Sequence, residues 1–384
     1  MPVEVATAVG TTTMEITISK FELLRELTAT QGVVERKTTI PILSNYLFEA
    51  STDKLSLTAT DLDLSLRTSC TAKVKKEGSC TIPARKLYDY VKLLPDADIT
   101  IKLLENHWVS IRCGRSNTKM VGMARANFPS LPAFPTAGVV KIPAQVLRSM
   151  IAKTNFAISN EESRYTLNGG LMVLKPESIT MVATDGHRLA HVERPGEKFE
   201  GVSGEMKTLV PKKAMDELKT LLDSTDAETI DFAKDESTLF FRIGQRLLTS
   251  RQLTGQFPNY EAVLPKEITK SVTVQGDELG SAIARVAQFA DERSRAVRLK
   301  LEKGELKLSA SSTEAGESED SIEISYNGDP LTIGFNAQYL VEFIKASGAG
   351  EIKLEFKDPQ SAGQMRPADS EDYKYRYIVM PMRI

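Results

Sequence analysis

Apolar and polar positions along the chain switch between two periods. In "MEITIS" (14–19), "VVKIP" (139–143) and "SVTVQG" (271–276) they alternate, as half-buried strands require. Each run passes straight into helical spacing, in "KFELLRELTAT", "AQVLRSMIAKTN" and "DELGSAIARVA". Lys20, Ala144 and Gly276 occupy equivalent places, so the pattern repeats at about 124 to 132 residues. A second unit recurs downstream as "CTIPARKLYDYVKLLPDADITI" (80–101), "TLVPKKAMDELKTLLDSTDAETI" (208–230) and "TIGFNAQYLVEFIKASGAGEIKL" (332–354). Its predicted helix faces are Leu87, Tyr90 and Leu94, then Met215, Leu218 and Leu222, then Leu340, Phe343 and Ile344. Pro83 and Pro211 suit helix starts, where a missing N–H costs nothing. Short strand patterns such as "LSNYLFEA", "KLSLTATD" and "DLSLRTS" follow each helix, separated by turn residues.

Each repeat therefore reads as two copies of strand, helix, strand, strand, strand. Strands that adjoin one another directly pair antiparallel, with the helices on one face, which makes the fold class α+β with three like domains. Proline-bearing linkers at 126–138 and 255–267 put the domains at 14–137, 138–265 and 266–384. Residues 1–13 have no counterpart in the other repeats and are expected to be a disordered extension. A chain of 384 residues is long enough for two or three cores.

Composition changes this picture little. Apolar residues at 41% and charged residues at 26% are ordinary for a soluble globular chain. No apolar run is long enough to span a bilayer and no signal peptide is legible, so the expected location is the cytoplasm, with no membrane partner. The three cysteines, Cys70, Cys80 and Cys113, lack CxxC spacing and read as buried thiols. The three histidines lack an HExxH arrangement, so no metal is expected. A net charge of −2 carries no global nucleic-acid signal, although it leaves room for a local basic surface.

One stretch carries candidate chemistry. "ATDGHRLA" (183–190) holds Asp185 and His187 two residues apart, which admits a hydrolase or transferase using that pair. The repeat supplies another reading: "LSLTATDLDLSLRT" (55–68) occupies the same place, so the Asp caps a turn between two strands. No GxSxG or phosphate-cradling loop is present, and no cofactor is expected. A third alternative is a scaffold that binds proteins without DNA.

Beyond these readings, the chain resembles the bacterial DNA polymerase III beta subunit family, the replicative sliding clamps, from about Met14 onward. The resemblance rests on "RKTTIPILSNYLFEA" (36–50), "RYTLNGGL" (164–171), "ATDGHRLA" (183–190), "FPNYEAVLP" (257–265), "GFNAQYL" (334–340) and "YIVMPMRI" (377–384). It implies a non-catalytic processivity subunit, a head-to-tail homodimeric ring that encircles duplex DNA without reading sequence, helices inside and sheets outside. It also implies as partners the replicative polymerase, an ATP-dependent clamp loader, and other replication and repair proteins bearing short clamp-binding peptides.

Residues are carried over from the family for the DNA-touching loops and the peptide pocket. DNA contacts are expected at Arg36 and Lys37 in a loop after the first helix, and at Arg164 and Tyr165 in a second loop. The polar faces of the predicted helices themselves offer Arg85, Lys86, Arg148, Lys153, Lys212 and Lys213, which read equally as a basic lining or as a solvated face; of these Lys213 aligns with a basic lining position of the family. Glu161 and Glu162 in the second loop depart from a phosphate-binding pattern. The client-peptide pocket, between the second and third domains, would be walled by Leu167, Thr184, Gly186, His187, Arg188, Leu189, Pro258, Val263, Asn336, Tyr339, Ile378, Met380, Pro381, Met382 and Arg383. Ala262 stands where many relatives carry Arg, a change expected to alter client preference. Thr118 and Met120 would lie on the edge where domain one meets domain three of the second subunit.

Overall fold

The computed structural model describes residues 13–383 except 36, 37, 162, 197, 349 and 371. Most of the extension, Arg36, Lys37 and Glu162 therefore lie outside the described residues. The chain divides into two compact units, one built from residues up to Ala144 with Glu217–Arg251, the other from Gln145–Asp216 with Gln252–Ile384.

The period switches mark real boundaries. The helices are α1 (Lys20–Ala29), α2 (Ala84–Leu93), α3 (Ala144–Thr154), α4 (Lys212–Asp223), α5 (Gly276–Val286) and α6 (Ala337–Ser347). Each starts directly after a strand. The Ser19 hydroxyl opens α1 by accepting the Glu22 N–H at 3.2 Å, meeting one of the donors a helix start leaves orphaned. In α5 the buried residues Leu279, Ala282, Ile283 and Val286 fall at the spacing of one helical face. The expected α2 face needs one correction. Val91 joins Leu87 in the core, one turn on and four residues along, while Tyr90 is rotated to the flank and stays half-buried.

Among the described residues the strands form four sheets, and every ladder is antiparallel. In the first unit, the opening strand and the last three strands of the second repeat (Val140–Pro143, Thr229–Lys234, Thr238–Ile243, Arg246–Arg251) continue into strands of the first repeat (Leu64–Thr71, Lys54–Thr60, Asn45–Ser51, Gly78–Pro83) as one eight-stranded sheet. A five-stranded sheet in the same unit runs Lys73–Lys76, Glu15–Ser19, Asp98–Leu103, Trp108–Cys113, Ser116–Val121. Its Lys73–Lys76 strand was not read from sequence, since "KVKK" has no apolar alternation; the lysines suit an edge that must not recruit other chains.

The second unit repeats the plan. Met206–Pro211, Gly169–Lys175, Ser178–Thr184 and Arg188–Pro195 of the second repeat join Lys374–Val379, Gly363–Pro367, Glu351–Phe356 and Lys270–Gln275 of the third. A four-stranded sheet runs Gly316–Glu323, Glu305–Ser312, Ala296–Glu302, Leu331–Asn336. The middle repeat thus gives half its strands to each neighbour, which is why the compact units cut across it.

Buried polar groups lock each union. In the first unit Glu26 of α1 is 3% exposed and accepts hydrogen bonds from Arg25 Nε (2.6 Å), Thr68 Oγ1 (2.5 Å) and Arg246 Nε (3.0 Å). Burial pushes its carboxyl up, but the bonds from Arg246, Thr68 and Arg25 outweigh that and hold it below the ordinary carboxylate range. In the second unit Phe343 of α6 stacks on Tyr377 at 4.9 Å and packs against Tyr375 at 5.1 Å. The hydroxyls of those tyrosines donate to the Tyr339 carbonyl (3.0 Å) and the Lys153 carbonyl (2.6 Å), so neither buried ring leaves its polar end unmet. The three thiols are free and buried; burial drives Cys70 up to about 12 and Cys80 higher, which leaves both as inert packing groups.

Candidate functional site

The turn after strand Ser178–Thr184 is built by its own side chains. Asp185 Oδ1 accepts the N–H groups of His187 (2.9 Å) and Arg188 (3.1 Å), while the Thr184 hydroxyl donates to the Arg188 carbonyl (2.6 Å) and accepts the Gly186 N–H (3.1 Å). Asp61 does the same for Asp63 (2.9 Å) and Leu64 (2.6 Å) in the first repeat, as the aligned motifs require. Gly186 sits at φ +88°, and a side chain there would also meet the Arg164 guanidinium at 2.7 Å. Asp185 is consequently a capping residue. Its second oxygen accepts from Arg188 Nε at 3.0 Å, and its hydrogen bond to His187 is to the backbone N–H, so among the described residues the carboxylate serves the turn rather than the imidazole.

Arg188 turns inward rather than toward the surface. It is 8% exposed, pairs with Asp185 and with Glu342 of α6, donates to the Phe156 carbonyl at 2.7 Å, and lies over the Tyr339 ring at 4.3 Å. Burial opposes its charge, but Tyr377 and Glu342 outweigh burial and raise its pKa above the ordinary value. This side chain fastens the second repeat to the third.

Beside the turn lies a layered apolar cluster. Its floor is the buried cluster Leu171, Val173, Val182, Leu189, Leu209, Leu253, Phe257 and Ile378, and half-buried Leu167, Tyr260, Val263, Leu264 and Ala362 pack over it. Strand alternation sets the floor: Leu189 and Ile378 are direct partners across the sheet, so both point to one face. Of the residues expected as pocket walls, Leu167, Leu189, Val263 and Ile378 come together here. Thr184 is buried, Gly186 and His187 are exposed, and the Met380 N–H donates to the His187 carbonyl at 2.9 Å, bringing Met380 beside them. Pro258 is exposed next to Phe257.

Other expected walls have separate employment. Asn336 caps α6 by accepting the Gln338 N–H at 2.9 Å, and Tyr339 supports Arg188. Pro381 is half-buried, and the Met382 N–H bonds the Gly334 carbonyl at 2.8 Å. Arg383 lines a different hollow, of about 280 Å³, with Ser294 and Arg298. Tyr260, Leu264, Ala362 and the floor residues Leu171, Val173 and Val182 were missed, although the alternation in "GGLMVLK" marks Leu171 and Val173.

The expected DNA contacts divide as well. Arg85 and Lys86 on α2, Arg148 on α3 and Lys213 on α4 are exposed, Arg85 lying 3.8 Å from Asp89. Tyr165 is 51% exposed. Lys153 is half-buried, bonded to Ser149 Oγ at 2.9 Å with its ammonium 4.5 Å from the Tyr373 ring centre, and burial lowers its pKa. Lys212 donates to Asn160 Oδ1 at 2.6 Å. Arg164 donates to the Asp185 carbonyl at 2.7 Å and pairs with Glu161 at 2.8 Å, so it braces the turn. Among the described residues no group of three or more His, Cys, Asp or Glu could hold a metal, and no helix is long and apolar enough to cross a membrane.

Three family models match in succession: the N-terminal, central and C-terminal domains of the DNA polymerase III beta subunit, at residues 14–132, 141–259 and 261–383. The beta sliding clamp of Caulobacter vibrioides is 36% identical over 377 residues, covering 97% of this chain and all of that protein. The beta sliding clamp of Pseudomonas aeruginosa is 34% identical with the same coverage. Among solved structures, the Caulobacter crescentus clamp superposes with a TM-score of 0.90 at 36% identity, and a Bartonella birtlesii clamp with 0.91 at 33%, each covering 97% of this chain and all of the other.

Proposed function

Because this chain belongs to the DNA polymerase III beta subunit family, we propose that it is a non-catalytic sliding clamp: two copies close head to tail into a ring around duplex DNA and tether the replicative polymerase in the cytoplasm. One observation carries the ring. The last strand of the second repeat, Arg246–Arg251, pairs with the fourth strand of the first, Leu64–Thr71; the last strand of the third repeat, Lys374–Val379, pairs with the fourth strand of the second, Arg188–Pro195. By the same rule Ser116–Val121, the last strand of repeat one, needs Gly316–Glu323, the fourth strand of repeat three. Both are sheet edges, templates for pairing with another chain. Lys119 on one edge faces a strand carrying Glu317, Glu319 and Glu323 on the other, so the union is complementary in charge. Repetition of one heterologous interface closes into a ring.

A ring holds DNA by topology and needs only a mildly basic lining without base contacts. The exposed cations Arg85, Lys86, Arg148 and Lys213 fit that role, with Arg36 and Lys37 proposed alongside them. Lys153, Arg164 and Lys212 are proposed with them, each also bonded to a protein atom. The domain limits 14–137, 138–265 and 266–384 follow the repeat. The half-buried Leu167 and Val263 over Leu189 and Ile378 are proposed to frame a groove that docks client peptides, with His187 and Met380 at its rim. The chain has no phosphate-cradling loop, so ring opening is assigned to an ATP-dependent loader.

The test is retention. Clamp loaded onto nicked circular DNA is expected to survive a wash in high salt and to be lost once the circle is cut. Release from both forms as salt rises would mean an ordinary electrostatic contact and would overturn the ring.

A further inference from the structure

The sheet that floors the groove continues into a second, polar cavity. Leu189 pairs with Ile378, Ile378 with Gln364, and Gln364 with Glu355, so these four side chains form one row on one face, apolar at one end and polar at the other. The polar end opens into a cavity of about 450 Å³, within the range of ligand sites. The segment over the groove also walls it: Val263 and Leu264 pack on the apolar cluster, while Pro265 and Ile268 line the cavity.

Two features of the lining call for a ligand. Gln364 is 5% exposed and its Nε2 donates to Glu355 Oε2 at 2.6 Å, which leaves Oε1 a buried acceptor without a partner. Arg366, Lys374 and Arg376 set three cations against the one carboxylate of Glu355. Glu355 is taken up by Arg366 at 2.9 Å, and Lys374 reaches Glu193 only at 3.5 Å. Among the described residues Arg376 has no ion-pair partner. His191, its partner across the ladder, is 8% exposed with an unpartnered Nδ1, and its ring lies 5.6 Å from that of Tyr260 at the groove.

We propose that this cavity is a second subsite of the peptide groove and takes acidic residues flanking a client's apolar anchors, their carboxylates on Arg376 and Lys374 and a peptide N–H on Gln364 Oε1. A peptide supplies both the acid and the donor that the lining lacks, and the shared row lets one extended segment reach both. The inference rests on the reading of the groove as a peptide-docking site.

Fluorescence anisotropy on the full chain tests it, using labelled synthetic peptides with two leucines and a phenylalanine as anchors. One member of each pair carries Asp-Asp and the other Asn-Asn, placed before the anchors in one pair and after them in another. In one of the two placements the acidic member is expected to bind about 10-fold tighter, the effect of one or two charge-assisted hydrogen bonds. The double variant Lys374→Ala/Arg376→Ala should bring it down to the Asn-Asn value and leave the Asn-Asn peptide unchanged. Equal affinities for both members in both placements overturn the subsite while leaving the groove intact. Failure of every peptide to bind overturns the groove reading and the subsite with it.

Discussion

At the scale of residues, neighbouring side chains in one motif have opposite fates. Arg188→Ala would leave Asp185 and Glu342 without their shared cation and the Phe156 carbonyl without its donor. Removing one partner of a buried pair costs about 3–5 kcal/mol, so the melting transition of the second unit should fall clearly. His187→Ala changes an exposed side chain and should alter stability by no more than about 0.5 kcal/mol, while weakening client peptides in an anisotropy titration. Glu26 gives a pH signature. Its folded pKa is lowered, so its contribution is complete above the unfolded carboxylate value of about 4.3 and is lost as pH falls through the lower folded value. Denaturation curves of the parent and Glu26→Gln should therefore stand apart at pH 7 and converge in acid; a constant gap would refute the assignment. The Asp61 and Asp185 caps were legible because an Asx turn is satisfied within three residues. Arg188 was not, because Glu342 lies 154 positions away and only the fold brings it near.

Among elements, the two-period pattern located the strand-helix junctions because each element has one wet face and one dry face. Where that contrast fails, the pattern is silent: the lysine-rich strand Lys73–Lys76 carries no apolar signal, and the spacing in α2 points to Tyr90 where Val91 serves. The two edges proposed to pair lead to a test of their own. Lys119→Glu sets like charges against the Gly316–Glu323 strand and should weaken self-association at least about 10-fold by analytical ultracentrifugation. Adding Glu317→Lys should restore much of the loss. An unchanged dimer in the single variant would remove Lys119 from the interface.

For the whole molecule, three like domains could be counted from the sequence, but not that the middle repeat splits its strands between two eight-stranded sheets, because register across repeats is a long-range choice. That split matters more than any single residue. It supplies the joining rule used twice within the chain, whose third use we propose falls to another copy. Particle images at concentrations where the chain is paired test this most directly. The account predicts a closed ring of six similar lobes around an opening that admits a duplex, with Ser116–Val121 of one copy against Gly316–Glu323 of the other. An open crescent, or a pair joined through other surfaces with no central opening, would contradict it.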